Sequence, residues 1–170
     1  AQVIKVESDQ ALSVVGGPVS NTARGLGQRH NWNAGKSSIS LNMKTDAGKD
    51  LARRLMAVSD VVAENFSGRV MPGWDLDFES IRKIRPDIIM LSMSGFGRTG
   101  PWKDRVSYGQ TLQAWSGFTD LTGFPESKPS GPASAYSDAV GGMTGAQAVL
   151  LALIHRARTG RGQWIDVSQM

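Results

Sequence analysis

Apolar and polar positions alternate over Val3-Ile4-Lys5-Val6-Glu7, the period of a half-buried strand rich in β-branched residues. Ser37 to Leu41 is a second short strand candidate. Thr45-Asp46-Ala47-Gly48-Lys49-Asp50 then opens a helix that runs to about Val58, with Thr45 and Asp46 placed to cap its first turn. Asp60 to Ala63 is another short apolar run, Phe78 to Ile84 a helix, and Pro86 to Ser92 a nearly continuous apolar run, which predicts a strand buried on both faces. Glycine, proline and charge dominate from Ser94 to Gly109, and a loop of that length is more often functional than a short connection. A helix through Trp115 follows. The segment Gly123 to Ala133 carries Pro125, Pro129 and Pro132 and is expected to be irregular. The longest helix spans about Asp138 to Arg158, where Met143, Ala146, Gln147, Leu150, Leu153, Ile154 and Ala157 recur at three- and four-residue intervals. Arg156 and Arg158 in its last turn suit the helix dipole, and Gly160 follows as a C-cap. Gln163 to Met170 reads as a strand leading into the first turn of a helix. Strands spaced by helices in this way predict an α/β fold around a parallel sheet.

Composition narrows the class. At 170 residues, one domain with a real core is expected. No apolar run approaches the roughly 20 residues of a membrane span, so neither a membrane nor export is expected. The absence of cysteine excludes disulfides, thiolate catalysis and cysteine metal sites, and a cytoplasmic location is the expectation. The formal charge of +4 comes from scattered basic residues. This weak field suits an anionic small molecule such as a nucleotide or coenzyme A, and lacks the dense basic stripe of a nucleic-acid surface.

Several motifs fail on inspection. Gly95-Phe96-Gly97-Arg98-Thr99-Gly100 has dinucleotide-fingerprint spacing, but Pro101-Trp102-Lys103-Asp104 follows where a helix must begin. Ala34-Gly35-Lys36-Ser37 resembles the end of a P-loop, yet His30 occupies the position of its first glycine. His30 and His155 are the only histidines, which leaves no cluster for a metal and no base for a Ser-His-Asp arrangement.

Asp138 stands in a different setting. In Ala135-Tyr136-Ser137-Asp138-Ala139-Val140-Gly141-Gly142 a carboxylate meets a helix N-terminus and two glycines follow it. An aspartate there is commonly an N-cap, and that alternative stays open. The two glycines each cost about 1 kcal/mol of helix stability relative to alanine, which points to a ligand approaching the backbone. Free N–H groups at such a terminus suit negative charge, either the carboxylate itself or an oxyanion formed beside it.

Six blocks then resemble, in order and spacing, the class III coenzyme A transferases of the CaiB/BaiF (carnitine-dehydratase/bile-acid-inducible) type. They are Val3 to Glu7, Asn33 to Lys44, Ala63-Glu64-Asn65-Phe66, Ser94 to Pro101, Tyr136-Ser137-Asp138, and Arg158-Thr159-Gly160-Arg161-Gly162-Gln163. The resemblance implies a Rossmann-like large domain joined to a smaller one in an interlocked homodimer. Residues 1–170 are expected to cover part of the large domain, without its first strand and helix, the small domain or the returning C-terminal segment. It further implies that Asp138 is the catalytic nucleophile. Its carboxylate would attack an acyl-CoA and pass through mixed anhydrides and an aspartyl-CoA thioester to a small carboxylic acid acceptor, with neither metal nor redox cofactor. Met43, Lys44, Asn65 and Phe66 match positions lining the CoA site. Tyr108 matches a tyrosine near the catalytic aspartate, and Arg98 and Arg105 stand as helpers.

Two departures matter. Pro72-Gly73 occupies a position where relatives often have an arginine, and the family's second glycine-rich loop is not in this chain. Racemases on the same scaffold place a histidine followed by an aspartate where Tyr108-Gly109 stands, and tyrosine, with a reference pKa of about 10, is a poor base for that chemistry. An α-methylacyl-CoA racemase-type enzyme is therefore the alternative. A truncated, inactive CoA-binding domain is the reading from a different class. The donor and the acceptor stay open, with oxalate, carnitine derivatives, bile acids, succinate and aromatic acids among them.

Overall fold

A computed structural model describes residues 1–8, 27, 30–132 and 134–170; Ala133, the end of the predicted irregular segment, lies outside the described residues. The chain divides into two compact units, Ala1–Leu55 and Met56–Met170.

In the first unit β1 (Ile4–Glu7) pairs parallel with β2 (Ser37–Ser40), Ile4 opposite Ser37 and Glu7 opposite Ser40. Helix α1 (Asp46–Ala57) follows, and the unit boundary after Leu55 falls within its last turn. Its start is set as the sequence predicts: Thr45 Oγ1 accepts from the Gly48 N–H at 3.1 Å, satisfying one of the donors a helix leaves unpaired at its N-terminus. Gly48 has no room for a side chain against the Asn42 carbonyl, and Leu41 and Ala52 are buried.

The second unit is built on a three-stranded parallel sheet in the order β3 (Val61–Glu64), β4 (Ile89–Ser94), β5 (Gln163–Ser168). Between β3 and β4 lie the single turns α2 (Val70–Gly73) and α3 (Phe78–Ile81); between β4 and β5 lie α4 (Gly109–Trp115), α5 (Phe118–Leu121) and the long α6 (Tyr136–Thr159). β4 is central, with Ile89, Met90, Leu91 and Ser92 all buried, as expected of a parallel strand covered on both faces. It begins later than the predicted Pro86 because residues 86–87 form a turn, which the Arg85 carbonyl closes by accepting from the Ile88 N–H at 3.1 Å. The helix predicted over Phe78–Ile84 is regular only to Ile81 and continues as turns. Its cap is Asp77, whose Oδ1 accepts from the Ser80 N–H at 3.1 Å.

Helix α6 corrects two expectations. It begins at Tyr136, with Ala135 as the N-cap, so Asp138 is the third residue of the helix and not its cap. The apolar stripe marked by the three- and four-residue spacing faces outward: Met143 is 66% exposed, Leu150 61% and Ile154 51%. Gly141, Gly145 and Ala152 are the buried positions instead. An added Cβ at Gly145 would come within 2.9 Å of Leu91, and one at Gly141 within 3.3 Å of Met93 Sδ, so small residues let the helix lie close on β4. By length and composition α6 is the one described helix able to cross a bilayer, but this close seat on a sheet and its Arg156 and Arg158 mark a domain helix. At its C-terminus Gly160 takes φ 71°, and Arg156 reaches Asp60 Oδ1 at 2.9 Å and the Asp87 carboxylate at 3.6 Å, tying the helix end to the starts of β3 and β4.

On the opposite face of the sheet Trp164 donates to Ser92 Oγ at 2.9 Å and stacks on Phe78 at 6.5 Å. A groove of about 590 Å³ runs there, lined by Met71, Phe78, Met90, Arg98 and Trp164 among others.

Candidate active site

Asp138 lies where two helix N-termini meet. Position three of a 24-residue helix favours a carboxylate through the helix dipole, and the Asp138 N–H already donates to the Ala135 carbonyl at 3.1 Å. The adjacent wall is Gly109, the first residue of α4. A Cβ there would stand 3.2 Å from Asp138 Oδ1 and collide with Ala135, so only glycine leaves the carboxylate its place. The wall excludes water from one side of Asp138 while the other side stays open to solvent, and this desolvation raises its pKa above the ordinary aspartate value of 3.8.

Helix α4 also holds the segment that leads into Asp138. Gln113, buried in α4, donates from Nε2 to the Ser134 carbonyl at 2.9 Å, and Ser137 Oγ donates to the Gly109 carbonyl at 3.2 Å. Tyr136 stacks on Phe118 at 5.2 Å. The pairings of Gln113 with Ser134 and of Ser137 with Gly109 escape sequence reasoning because the partners stand more than twenty residues apart. In the sequence, Tyr108-Gly109 stands out for the chemistry it lacks and not for the space Gly109 leaves.

The other predicted residues are distributed as follows. Tyr108 is the N-cap of α4, makes no side-chain cap hydrogen bond and is 53% exposed, one residue from the Gly109 wall. Asn65 and Phe66 follow the C-terminal end of β3; both are exposed, and Phe66 packs edge-on against Trp74 at 5.4 Å. Met43 and Lys44 belong to the first unit, in the turn after β2, where the Lys44 N–H donates to Asn42 Oδ1 at 3.1 Å and its side chain is exposed. Gly141, expected to open the backbone to a ligand, is instead consumed in helix–sheet packing, whereas Gly142 faces open space.

The glycines of the 95–100 loop have local causes. Gly95 packs against Ser107, while Gly97 and Gly100 take φ of 76° and 81°, conformations that glycine adopts without strain. Turns over residues 101–104, and not a helix, follow the loop directly, in keeping with the rejected dinucleotide fingerprint. Arg105 lies over Trp102 and Trp115, at 5.3 and 5.5 Å from their ring centroids, and the two rings meet edge to face. Arg98 is buried and pairs with Glu64.

A family model described as CoA-transferase family III matches residues 1–170. The chain belongs to CoA-transferase family III. It is similar to the succinate–glutarate CoA-transferase of Agrobacterium fabrum, with 38% identity over 99% of this chain and 44% of that protein. It is likewise similar to the succinyl-CoA–L-malate CoA-transferase beta subunit of Chloroflexus aurantiacus, with 38% identity over 99% of this chain and 42% of that one. Among solved structures, a CaiB/BaiF family protein from Brucella suis superposes with a TM-score of 0.88 at 39% identity, covering 99% of this chain and 46% of that chain. This family III chain therefore spans less than half the length of the relatives it matches, and its parallel α/β architecture is theirs.

Proposed function

We propose that the full-length protein moves CoA from an acyl-CoA to a carboxylic acid, with Asp138 as the covalent carrier. The observation that carries this reading is the setting of Asp138. Its carboxylate is open to solvent on one side, partly desolvated on the other and flanked by Gly109, and the segment that carries it is tied to α4 through Gln113 and Ser137.

The chemistry balances without an external acid, base or oxidant. Asp138 Oδ attacks the acyl-CoA carbonyl, forming a mixed anhydride and expelling CoA thiolate. The thiolate then attacks the aspartyl carbonyl, and the donor acid leaves as its carboxylate, carrying the bridging oxygen. The acceptor carboxylate attacks the resulting aspartyl-CoA thioester, giving a second anhydride and thiolate once more. Thiolate attack on the acceptor carbonyl releases the new acyl-CoA and regenerates Asp138. Each step exchanges one acyl bond for another, which is how a carboxylate nucleophile divides one difficult transfer into smaller ones. Partial desolvation suits this role, because a carboxylate with a raised pKa is more basic and carries a weaker hydration shell.

Met43, Lys44, Asn65 and Phe66 are assigned to CoA binding and Tyr108 to the neighbourhood of the reacting groups, on their match to the family's motifs. Interlocked dimerisation of the full-length protein belongs to the same reading. Succinate, glutarate and L-malate, named for the similar transferases, direct the first substrate panel toward short dicarboxylic acids. The racemase alternative requires a base near neutral pKa beside the thioester, and Tyr108 stands where that base would be.

The test is CoA exchange from succinyl-CoA to a panel of dicarboxylic acids, with the wild-type protein and Asp138→Asn. Transfer by the wild type and its loss in the variant are expected. An Asp138→Asn protein that transfers CoA at the wild-type rate would overturn the assignment.

A further inference from the structure

The Glu64–Arg98 pair has an arrangement that stability alone does not account for. Both side chains are almost wholly buried, Arg98 at 6% exposure and Glu64 at 3%. Taking two charges from water costs several kcal/mol per ion, so a buried pair is a weak way to stabilise a fold, and its geometric consequence is the better guide to its role.

That consequence can be followed bond by bond. The Arg98 backbone is fixed independently of Glu64: its N–H donates to both carboxylate oxygens of Asp166 on β5, at 3.1 and 2.9 Å, and Gly97 before it holds φ 76°. From that anchored backbone the Arg98 Nη2 donates to Glu64 Oε1, at the last residue of β3. The other oxygen, Oε2, accepts from the Phe66 N–H at 2.9 Å. Both oxygens of Glu64 are thus engaged. Arg98 fixes one, and the direction of the second determines how the chain turns out of the strand through Asn65 into Phe66.

We propose that Arg98 is a positioning residue which, through Glu64, sets the path of Asn65 and Phe66 so that this segment meets the CoA moiety of the substrate. The inference rests on the assignment of Asn65 and Phe66 to CoA binding. Without Arg98 the Glu64 carboxylate is buried with no counter-charge. It turns toward solvent, releases the Phe66 N–H and loosens the segment, while Asp138, on α6, keeps its place. The effect falls on CoA affinity and leaves the acyl-transfer steps intact.

The experiment compares Arg98→Met, Arg98→Lys, Glu64→Gln, the Arg98→Met/Glu64→Gln double variant and Phe66→Ala in the full-length protein. It reads the CoA dissociation constant by calorimetry and the steady-state constants for both substrates. Phe66→Ala weakens CoA binding. Arg98→Met raises KM for the acyl-CoA by roughly tenfold or more, while kcat and the acceptor KM stay within about twofold, since misplacement acts on one substrate only. The double variant binds CoA no more weakly than Arg98→Met, because the two residues act as one unit, and Arg98→Lys recovers part of the loss. Should Arg98→Met fail to fold, the double variant, which buries no unpaired charge, supplies the same readouts. Unchanged CoA affinity in a folded Arg98 variant, alongside weakened binding in Phe66→Ala, would overturn the positioning role. Unchanged affinity in Phe66→Ala would remove the CoA assignment of the segment and the proposal with it.

Discussion

Gly109→Ala is the sharpest probe of how Asp138 is held. The new methyl would lie 3.0 Å from the Ala135 Cα and closer still to its Cβ, and 3.2 Å from Asp138 Oδ1. Carbon atoms rest at about 3.5–4.0 Å, so relief of the closer contact, to the Ala135 Cβ, requires a movement of about 1 Å or more. The obstacle on one side is backbone, three residues before Asp138 and at the N-cap of α6, so the start of that helix has to give way. Overpacking of this kind costs about 1–3 kcal/mol, which leaves a domain of ordinary stability folded. A displacement near 1 Å at a nucleophile lowers turnover by roughly 100-fold. The expected result is therefore a large fall in kcat from a protein that still folds and still binds CoA. Steady-state kinetics, denaturant unfolding and calorimetric CoA binding on the full-length protein measure the three quantities. A Gly109→Ala protein with kcat and stability both at wild-type level would refute the claim that this wall positions the carboxylate.

Other substitutions separate packing from chemistry. Gly142→Ala meets no neighbouring atom, so unfolding experiments should show a gain of about 1 kcal/mol in helix stability with transfer activity retained; lost activity would place a ligand against that backbone. Asp138 has a folded-state pKa above 3.8, so the native state holds its proton more tightly than the unfolded chain and this carboxyl lowers stability as pH rises through that window. Asp138→Asn should accordingly gain stability relative to wild type as pH rises from about 3.8 through the raised folded-state pKa, with the difference constant on either side of that window; a pH-independent difference in denaturation curves would contradict the desolvation. Arg156→Ala removes the ties to Asp60 and Asp87 and should cost roughly 1–3 kcal/mol of stability while leaving kcat intact, because Arg156 lies roughly 27 Å along α6 from Asp138; an equal loss of kcat would contradict that separation.

Local features were readable where local physics decides them. Thr45 caps α1, Gly160 ends α6 in a left-handed conformation, and the run of apolar residues in β4 marks a doubly covered strand. The single turns α2 and α5 were not foreseen, since a one-turn helix is shorter than any periodicity and α2 contains both Pro72 and Gly73. Asp138 resembled a cap because aspartate is a strong capping residue. The helix gains its earlier start from contacts made far along the chain, Ser137 with Gly109 and Tyr136 with Phe118. The α6 stripe misled for a related reason. Both faces of that helix are apolar or small, and periodicity marks the larger side chains, whereas the close seat on β4 selects Gly141 and Gly145. Asp138 stands out from its motif as a candidate, and its role is the proposal made above. The residues that hold it, Gln113 and Gly109, and the Glu64–Arg98 pair depend on partners that no spacing rule connects.

The most direct test of the central claim is intact-protein and peptide mass spectrometry of the full-length protein after incubation with succinyl-CoA and related thioesters. Hydroxylamine or borohydride trapping is included, with Asp138→Ala as the control. The account predicts a trapped aspartyl adduct on the peptide containing Asp138, formed in the wild type and absent from the control. A protein that binds and turns over the thioester with no adduct at Asp138, or that forms the same adduct in the Asp138→Ala control, would contradict it.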